Sequence, residues 1–458
     1  MPDPRSAIVI GGGISGLACA YRLKQLGIAV TLFEESDRPG GVIGSVEQNG
    51  FLFEKGPQSF LGTPPLMEMI RALGLDDQLL EADPRAPRYV LLHKRLQMIP
   101  MSPVAVLASS FLSYRTRFRV LTEPLRRSKP PGSEESVAAF VRRKFGHEIL
   151  EYLVTPFVSG VYAGDPEELS LKSSFPSLAE WEQKYGSVLR GAMKSRSASG
   201  QPRPSLYSFR RGLSTLFDTL AASLGDSAQM RARVEAIERG SDARNLGFQV
   251  NIRRDSGAAR HSAQAVVLAT PAYSAAHLLK NFSGRLATFL NGIAYAPVAV
   301  VANGYHCHQV ANLLQGFGFL VPRREGLRVL GTVWNSSLFP GRAPKEMVVL
   351  TSFAGGATDP GIVHMEPGPL AELIEAEVAK VLEIGGAPAE RAVWRLEKGL
   401  PQYNLGHAET LGTIREEAGK IPGLFLAGNY LEGPSWGDCV AQAFRTAQAV
   451  RDFFSGKN

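Results

Sequence analysis

One stretch near the start leaves this chain few ways to fold. The apolar run Ala7-Ile8-Val9-Ile10 passes directly into Gly11-Gly12-Gly13-Ile14-Ser15-Gly16. Beyond it, Ile14, Leu17, Ala18 and Tyr21 recur at the spacing of one helical face, and Gly27 can close that helix in the left-handed conformation. Ala29-Val30-Thr31-Leu32-Phe33 then reads as a second strand with Glu34 at its end. A glycine pattern alone would be weak evidence. Strand, glycine turn, helix, strand and terminal acid together predict a dinucleotide-binding βαβ unit. Gly11 permits the tight turn, Gly13 lets a pyrophosphate approach the backbone, and Gly16 lets the helix lie against the sheet. The free N–H groups at the helix start, where Ser15 sits, suit a phosphate. Glu34 is placed to accept from a ribose 2′-hydroxyl, and its charge disfavours the 2′-phosphate of NADP.

A chain of 458 residues can bury a large core in two or three domains. Cys19, Cys307 and Cys439 are too few and too scattered for a disulfide framework, and none has the CxxC spacing of a metal or redox centre. The net charge of +7 suits anionic substrates or anionic lipid headgroups. No basic, aromatic-interleaved module speaks for nucleic acid. The apolar runs Val104 to Leu112 and Ile293 to Ala302 are too short to span a bilayer, and the N-terminus enters the first strand without a signal peptide. The expectation is a cytoplasmic protein, soluble or peripheral on the inner face of the cell membrane.

The remainder changes character along its length. Val42 to Phe53 reads as strands around an Asn49-Gly50 turn, Pro64 to Leu73 as a helix, and Arg88 to Leu92 with Leu96 to Pro100 as paired strands. From Ser102 to Ser195 the pattern is mostly helical. It is punctuated by Arg115, Arg117, Arg119, Arg126, Arg127 and Lys129, and again by Arg142-Arg143-Lys144. Such runs form a solvated face on the plainer reading and a membrane-facing one on the sharper. Ser195 to Ser205 reads as a loop or linker. Strands follow at Met230 to Ile237, Phe248 to Arg253 and Ala265 to Leu268, then a helix from Ala272 to Leu279. Antiparallel strands are expected between Ala299 and Phe353, and helices at Leu370 to Leu382 and Cys439 to Phe454. His306 and His308 would share one face of a strand, but two ligands without a third make no metal site, and none is expected. No HExxH, GxSxG or spaced carboxylate pair is present, so no catalytic acid–base residue is assigned.

Glu34-Glu35-Ser36-Asp37-Arg38-Pro39-Gly40-Gly41 resembles the segment after the second strand in the amine oxidase and protoporphyrinogen oxidase superfamily of FAD enzymes. Further segments resemble the protoporphyrinogen oxidases in particular, in family order over nearly the whole chain. They are Phe53 to Phe60, Ser159-Gly160-Val161-Tyr162-Ala163-Gly164-Asp165-Pro166, Gly316 to Pro322 and Val329 to Thr332. Phe339-Pro340 with Arg342-Ala343-Pro344, Pro401 to His407 and Pro422 to Asn429 complete the set. The resemblance implies a mixed α/β and α+β fold. Its Rossmann-like FAD-binding domain would be assembled from discontinuous segments, 1–85, 205–275 and 401–458. An antiparallel-sheet substrate domain would take 86–100 and 276–400, and a mostly helical, membrane-associating insertion 101–200.

The same resemblance assigns residues. FAD would be held by Gly11, Gly13, Ser15, Gly16, Glu34 and Glu35, with Arg38, Gly40 and Gly41 continuing the pyrophosphate cradle. Val234 would meet the adenine through its backbone, and Gly428, Asn429 and Ser435 fall in the closing flavin loop. For the substrate, a tetrapyrrole, Arg88 would pair with a propionate and the Gly160 carbonyl would face the pyrrole N–H groups. Leu320, Val333 and Phe353 would sandwich the macrocycle, and Gln58 would face the pocket. Pro434 departs from the valine or leucine commoner in the family. It has no N–H, so any flavin contact through that amide passes to Ser435 or Trp436.

The activity so implied is conversion of protoporphyrinogen IX to protoporphyrin IX in haem biosynthesis. It would take three rounds of hydride removal to flavin N5, with imine–enamine rearrangement between rounds. Oxygen would be the acceptor and hydrogen peroxide a product. The residues leave open oxidation of coproporphyrinogen III on the same fold, which demands a more basic rim for four propionates. The segment Gly160 to Pro166 argues against an amine or carotenoid oxidase, and a flavin-binding scaffold without turnover stays open. The implied partners are the porphyrinogen and oxygen. A homodimer, a membrane surface and hand-off to ferrochelatase are open expectations.

Overall fold

A computed structural model of the chain describes residues 5–126, 132–199, 205–240 and 247–456, so Arg127 lies outside the described residues. The opening unit forms as its sequence predicts. Strands Ser6–Ile10 and Ala29–Phe33 pair in parallel around helix Ile14–Gln25. They extend into a five-stranded sheet whose members come from far apart in the chain. In spatial order these are Ala228–Gln229, Ala29–Phe33, Ser6–Ile10, Ala265–Leu268 and Leu424–Leu426, all parallel. Ala265–Leu268 is buried along its whole length, as a parallel strand covered on both faces must be.

On one side of the sheet, Leu17 and Ala18 pack with Phe217 and Leu220 of helix Ser214–Leu224. Val440, Ala443 and Ala447 of the terminal helix Trp436–Phe454 complete that layer. On the other side, Ile8, Ile10, Val266 and Leu268 meet Ala275, Leu279, Leu286 and Leu290 of helices Ala272–Leu279 and Gly284–Asn291.

A second, seven-stranded sheet follows the order Glu390–Pro401, Tyr295–His306, Met347–Gly355, Val329–Trp334, Gly318–Leu320, Arg88–Leu92, Arg95–Met98. Every pairing is antiparallel except that of Gly318–Leu320 with Arg88–Leu92. One face packs on helix Pro367–Leu382 through Leu370, Ile374 and Val378 against Val301, Phe319 and Trp334. The hairpin Ser45–Gln48 with Phe51–Glu54 turns at Asn49 and Gly50, both left-handed, as the Asn-Gly pair predicts.

Some expectations are corrected. Residues 195–199 are not a loop, since helix Val188–Ser199 runs through them, and 200–204 lie outside the described residues. Ala192, Met193, Lys194 and Arg196 are good helix formers and outweigh the serines. Strand Glu390–Pro401 was not foreseen, because its charged residues mask the alternation. Charge is what an edge strand carries to block further pairing. Strand Gly257–Ala263 was missed for the same want of apolar alternation. The strand bearing His306 ends there, and Cys307–Gln309 is a 3₁₀ turn, so the two histidines share no strand face.

The basic run Arg142-Arg143-Lys144 is solvated at Arg142 but turns inward at Lys144. The Lys144 side chain is 4% exposed, its Nζ 3.2 Å from Glu123 and 3.0 Å from Glu182. It also donates to the Gly186 carbonyl at 3.2 Å. Glu123 accepts from Val188 N at 3.0 Å and Leu189 N at 3.2 Å, which ties helix Val188–Ser199 to the same knot. Arg143 reaches Glu135 and Glu182. Lys129 lies outside the described residues. Replacing Lys144 by methionine removes the cation beside buried Glu123 and should destabilise the helical layer by about 3–5 kcal/mol. Denaturant unfolding of Lys144→Met tests this; a midpoint equal to that of the unsubstituted protein contradicts it.

Candidate functional site

The first half of the site is the glycine turn and what is fastened to it. Gly11 has φ +107°, and a Cβ there would stand 2.8 Å from the Ala269 carbonyl oxygen. A Cβ on Gly16 would stand 1.9 Å from the Gly11 oxygen, so the helix approaches the strand as closely as backbone allows. In front of Gly13 there is open space, with nothing within 4 Å of a Cβ position. That is the room a pyrophosphate needs beside first-turn N–H groups that have no partner within the helix.

Glu34 is buried and bonded. Its Oε2 accepts from Gly12 N at 2.6 Å, and its Oε1 from Ser36 N at 2.9 Å and Ser36 Oγ at 2.7 Å. The protein thus fixes the carboxylate at the tip of its strand, leaving its spare lone pairs for a ribose. Ser15 is buried against Cys439 of the terminal helix, whose thiol burial pushes up to about 12. Arg38 donates to the carbonyls of Pro39 at 3.1 Å, Ile43 at 2.7 Å and Gly41 at 2.8 Å, so it holds the Gly40-Gly41 turn closed. Gly40 N donates in turn to Gly12 O at 2.8 Å, joining that turn to the first.

Glu35 is exposed, 3.9 Å from Arg233, and lines a cavity of about 600 Å³ with Asp37, Arg231 and Arg254. Val234 sits beside the same cavity at a bulge in strand Arg233–Arg239. At the other end, Gly428 N donates to Gln442 Oε1 at 3.2 Å, and the Tyr403 hydroxyl donates to the Asn429 carbonyl. Ser435 caps the terminal helix, its Oγ accepting from Asp438 N at 3.1 Å. Two helix N-termini, an open glycine front and a strand-end carboxylate form a donor and acceptor set that fits FAD.

The second half is a sheet face. Register pairs Arg88 with Gly318, Gly318 with Val333, Leu320 with Gly331, and Gly331 with Phe353. Side chains of paired residues lie on one side. Arg88, Leu320, Val333 and Phe353 therefore share the face opposite helix Pro367–Leu382. Gly318 and Gly331 interrupt it without side chains, and Leu320 lies over Gly331, where a Cβ would stand 3.0 Å from Leu320 Cδ2. Gly160, on helix Thr155–Tyr162, seats that helix over one end, where a Cβ would stand 2.5 Å from Leu320 Cδ2.

Arg88 is half-buried, with its guanidinium 5.2 Å above the Phe317 ring, and burial lowers its pKa. Among the described residues no carboxylate stands within ion-pair distance of it. Gln58 differs from the expected pocket-facing amide: it is 5% exposed and bonded at both ends. Its Nε2 donates to Gly56 O at 2.6 Å and its Oε1 accepts from Asn335 at 2.5 Å. Two groups nearby carried no assignment from sequence. Glu54 is buried, its carboxyl pushed up to about 7 by burial, and Arg342 is buried facing it. Both lie in segments whose resemblance was noted, but nothing in a linear sequence says that Phe53 to Phe60 meets Phe339 to Pro344.

Comparison with known proteins agrees with this geometry. The profile of the flavin-containing amine oxidoreductases matches residues 14–451. The chloroplastic protoporphyrinogen oxidase 1 of Arabidopsis thaliana is 35% identical, over 98% of this chain and 88% of that one. The coproporphyrinogen III oxidase of Bacillus subtilis (strain 168) is 28% identical, over 96% of each. A crystal structure from Exiguobacterium sp. 255-15, named as a candidate protoporphyrinogen oxidase, superposes with a TM-score of 0.83. Its identity is 25%, over 98% of this chain and 99% of that one. A reduced UDP-galactopyranose mutase shares the fold at TM-score 0.74 and 16% identity, covering 99% of this chain and 98% of that one. The glycine turn, its fixed acid and the near-complete coverage point one way: the chain belongs to the flavin-containing amine oxidoreductases, with FAD as its cofactor.

Proposed function

We propose that the chain oxidises protoporphyrinogen IX to protoporphyrin IX. The observation that carries this reading is Arg88. A half-buried guanidinium, without a carboxylate partner among the described residues, stands at the edge of an apolar sheet face. Its planar fork of donors suits a propionate. Leu320, Val333 and Phe353 offer the flat ring contact and exclude water, while the backbone at Gly160 approaches without a side chain in the way. FAD, when bound, accepts the hydride. The chain's own part is to orient the ring and bind its acid groups, and no side chain is needed as a dedicated base. Relatives named protoporphyrinogen oxidase support this reading over nearly the whole length.

The alternative, coproporphyrinogen III, has support from the B. subtilis and Staphylococcus aureus relatives. Four propionates need more free cations than two. Of the cations that follow strand Gly318–Leu320 in the chain, Arg323 pairs with Asp165 at 3.4 Å and Arg324 with Glu151 at 3.5 Å, so neither stands free for a further propionate.

Peripheral membrane contact is part of the proposal. Tyr114 (84% exposed), Phe118 (64%) and Leu125 (75%) line one side of helix Tyr114–Leu121 and the turn after it, with Leu121 between. Met98 and Met101 are exposed as well. Among the described residues no helix is long and apolar enough to cross a membrane. An apolar row set among arginines fits an anionic bilayer surface.

Both substrates offered in parallel, with porphyrin fluorescence recorded, test the first reading. Protoporphyrinogen IX should turn over faster, and Arg88→Ala should raise its KM about ten- to hundredfold at unchanged flavin content. Faster turnover of the tetracarboxylate, or loss of flavin from Arg88→Ala, contradicts the reading. For the membrane face, sedimentation with phosphatidylglycerol vesicles should fall about tenfold in the Phe118→Ser, Leu125→Ser double variant. Unchanged sedimentation of that variant excludes this face.

A further inference from the structure

Residues 335–344 leave the large sheet after strand Val329–Trp334 and lead back to it at Met347–Gly355. On the way they bond the segment 52–58 at two points and face it with a charge at a third. Leu52 N donates to the Arg342 carbonyl at 3.0 Å. Asn335 Nδ2 donates to Gln58 Oε1 at 2.5 Å. The Arg342 guanidinium, 1% exposed, faces Glu54, which is 1% exposed too, though the two make no direct ion pair.

Arg342 is an expensive residue to bury. Its Nη2 donates to Ser208 Oγ at 2.5 Å and the Phe209 carbonyl at 3.2 Å, yet among the described residues its Nε and Nη1 have no hydrogen-bond partner. An apolar side chain of similar volume would fill the space without that penalty. Glu54 is held from the other side, by Leu213 N at 2.9 Å and Ser45 Oγ at 2.6 Å. The segment so gripped is a bridge. At one end Lys55 N donates to the Gly44 carbonyl at 2.7 Å, beside the Gly40-Gly41 turn of the cofactor site. At the other, Gln58 is tied to the residue that follows the strand bearing Val333.

We propose that Asn335 and Arg342 are positioning residues: residues 335–344 brace the segment 52–58 and so set the spacing between the cofactor turn and the substrate face. Rates of transfer depend steeply on such spacing, and a displacement of about 1 Å can cost a hundredfold. The inference rests on the oxidase reading above, for which the brace would tune the distance from ring to flavin.

The test is anaerobic rapid mixing of flavin-loaded protein with protoporphyrinogen IX, following loss of the oxidised flavin absorbance. Asn335→Ser frees Gln58 without stranding a charge. Its flavin content should match that of the unsubstituted protein, and its limiting reduction rate should fall about tenfold, with KM changed less than about twofold. Arg342→Met should fall at least as far, and Arg342→Lys should recover part of the loss. If Arg342→Met does not fold, Asn335→Ser decides alone. A limiting rate equal to that of the unsubstituted protein, or a loss confined to KM or to flavin content, overturns the brace. If the unsubstituted protein is not reduced by the porphyrinogen at all, the oxidase reading falls and this inference falls with it.

Discussion

The contact between Gly16 and Gly11 governs the rest of the molecule. A helix packed on its own strand at backbone distance leaves no room for any side chain there, and Gly16 supplies none. Because that helix lies so low, the terminal helix Trp436–Phe454 can pack beside it and reach the same core through Val440 and Ala443. The strand preceding that helix, Leu424–Leu426, can then close the sheet against Ala265–Leu268. Residues from opposite ends of the chain thus depend on a missing methyl group. The loops that end these strands converge at one edge, as ligand sites in open parallel sheets do.

The second sheet answers a different demand. One of its faces is satisfied by helix Pro367–Leu382, with Leu370 and Ile374 fully buried. The other carries Leu320, Val333 and Phe353 with two glycines between, and it is partly covered, by the helix bearing Gly160 at Leu320 and by the cluster of Leu338 and Phe339 at Val333. Apolar area left open in this way loses hydrophobic stabilisation unless something flat covers it. On the proposed reading Arg88 at its margin would select for an acid group, because a half-buried guanidinium rewards a carboxylate more than an exposed one would. Fold and ligand preference here come from one arrangement of small, apolar and cationic residues.

Much of this was legible in sequence where the signal is local. Glycine at the turn, apolar runs bounded by Gly or Asn-Gly, and the acid closing the second strand each act within a few residues. Strand Glu390–Pro401 was not legible because its stability comes from pairing with Tyr295–His306 rather than from its own polar composition. The Lys144 knot was hidden for the converse reason. Three adjacent basic residues look solvated until Glu123 and Glu182, distant in sequence, are brought against them. Arg342 belongs to the same class, as does the hydrogen bond that the Asn335 side-chain amide donates to Gln58. Periodicity reports which face of an element is buried, not which polar group waits on the other side.

Pro434 shows how a departure from a family pattern can be absorbed. It lacks an N–H, and inside a helix or at its first orphan amides that would matter. It stands instead just before the cap. Ser435 has extended backbone angles and its Oγ accepts from Asp438 N, so the helix is started by the serine side chain. The N–H groups of Trp436 and Gly437 then lie in the first turn, with the positive end of a 19-residue helix behind them. A Cβ on Gly437 would stand 2.4 Å from Thr63 Oγ1, so this turn is pressed against its neighbour and cannot drift. The position that changed is the one whose amide the helix does not need, and the charge-stabilising end that would face an isoalloxazine is left intact.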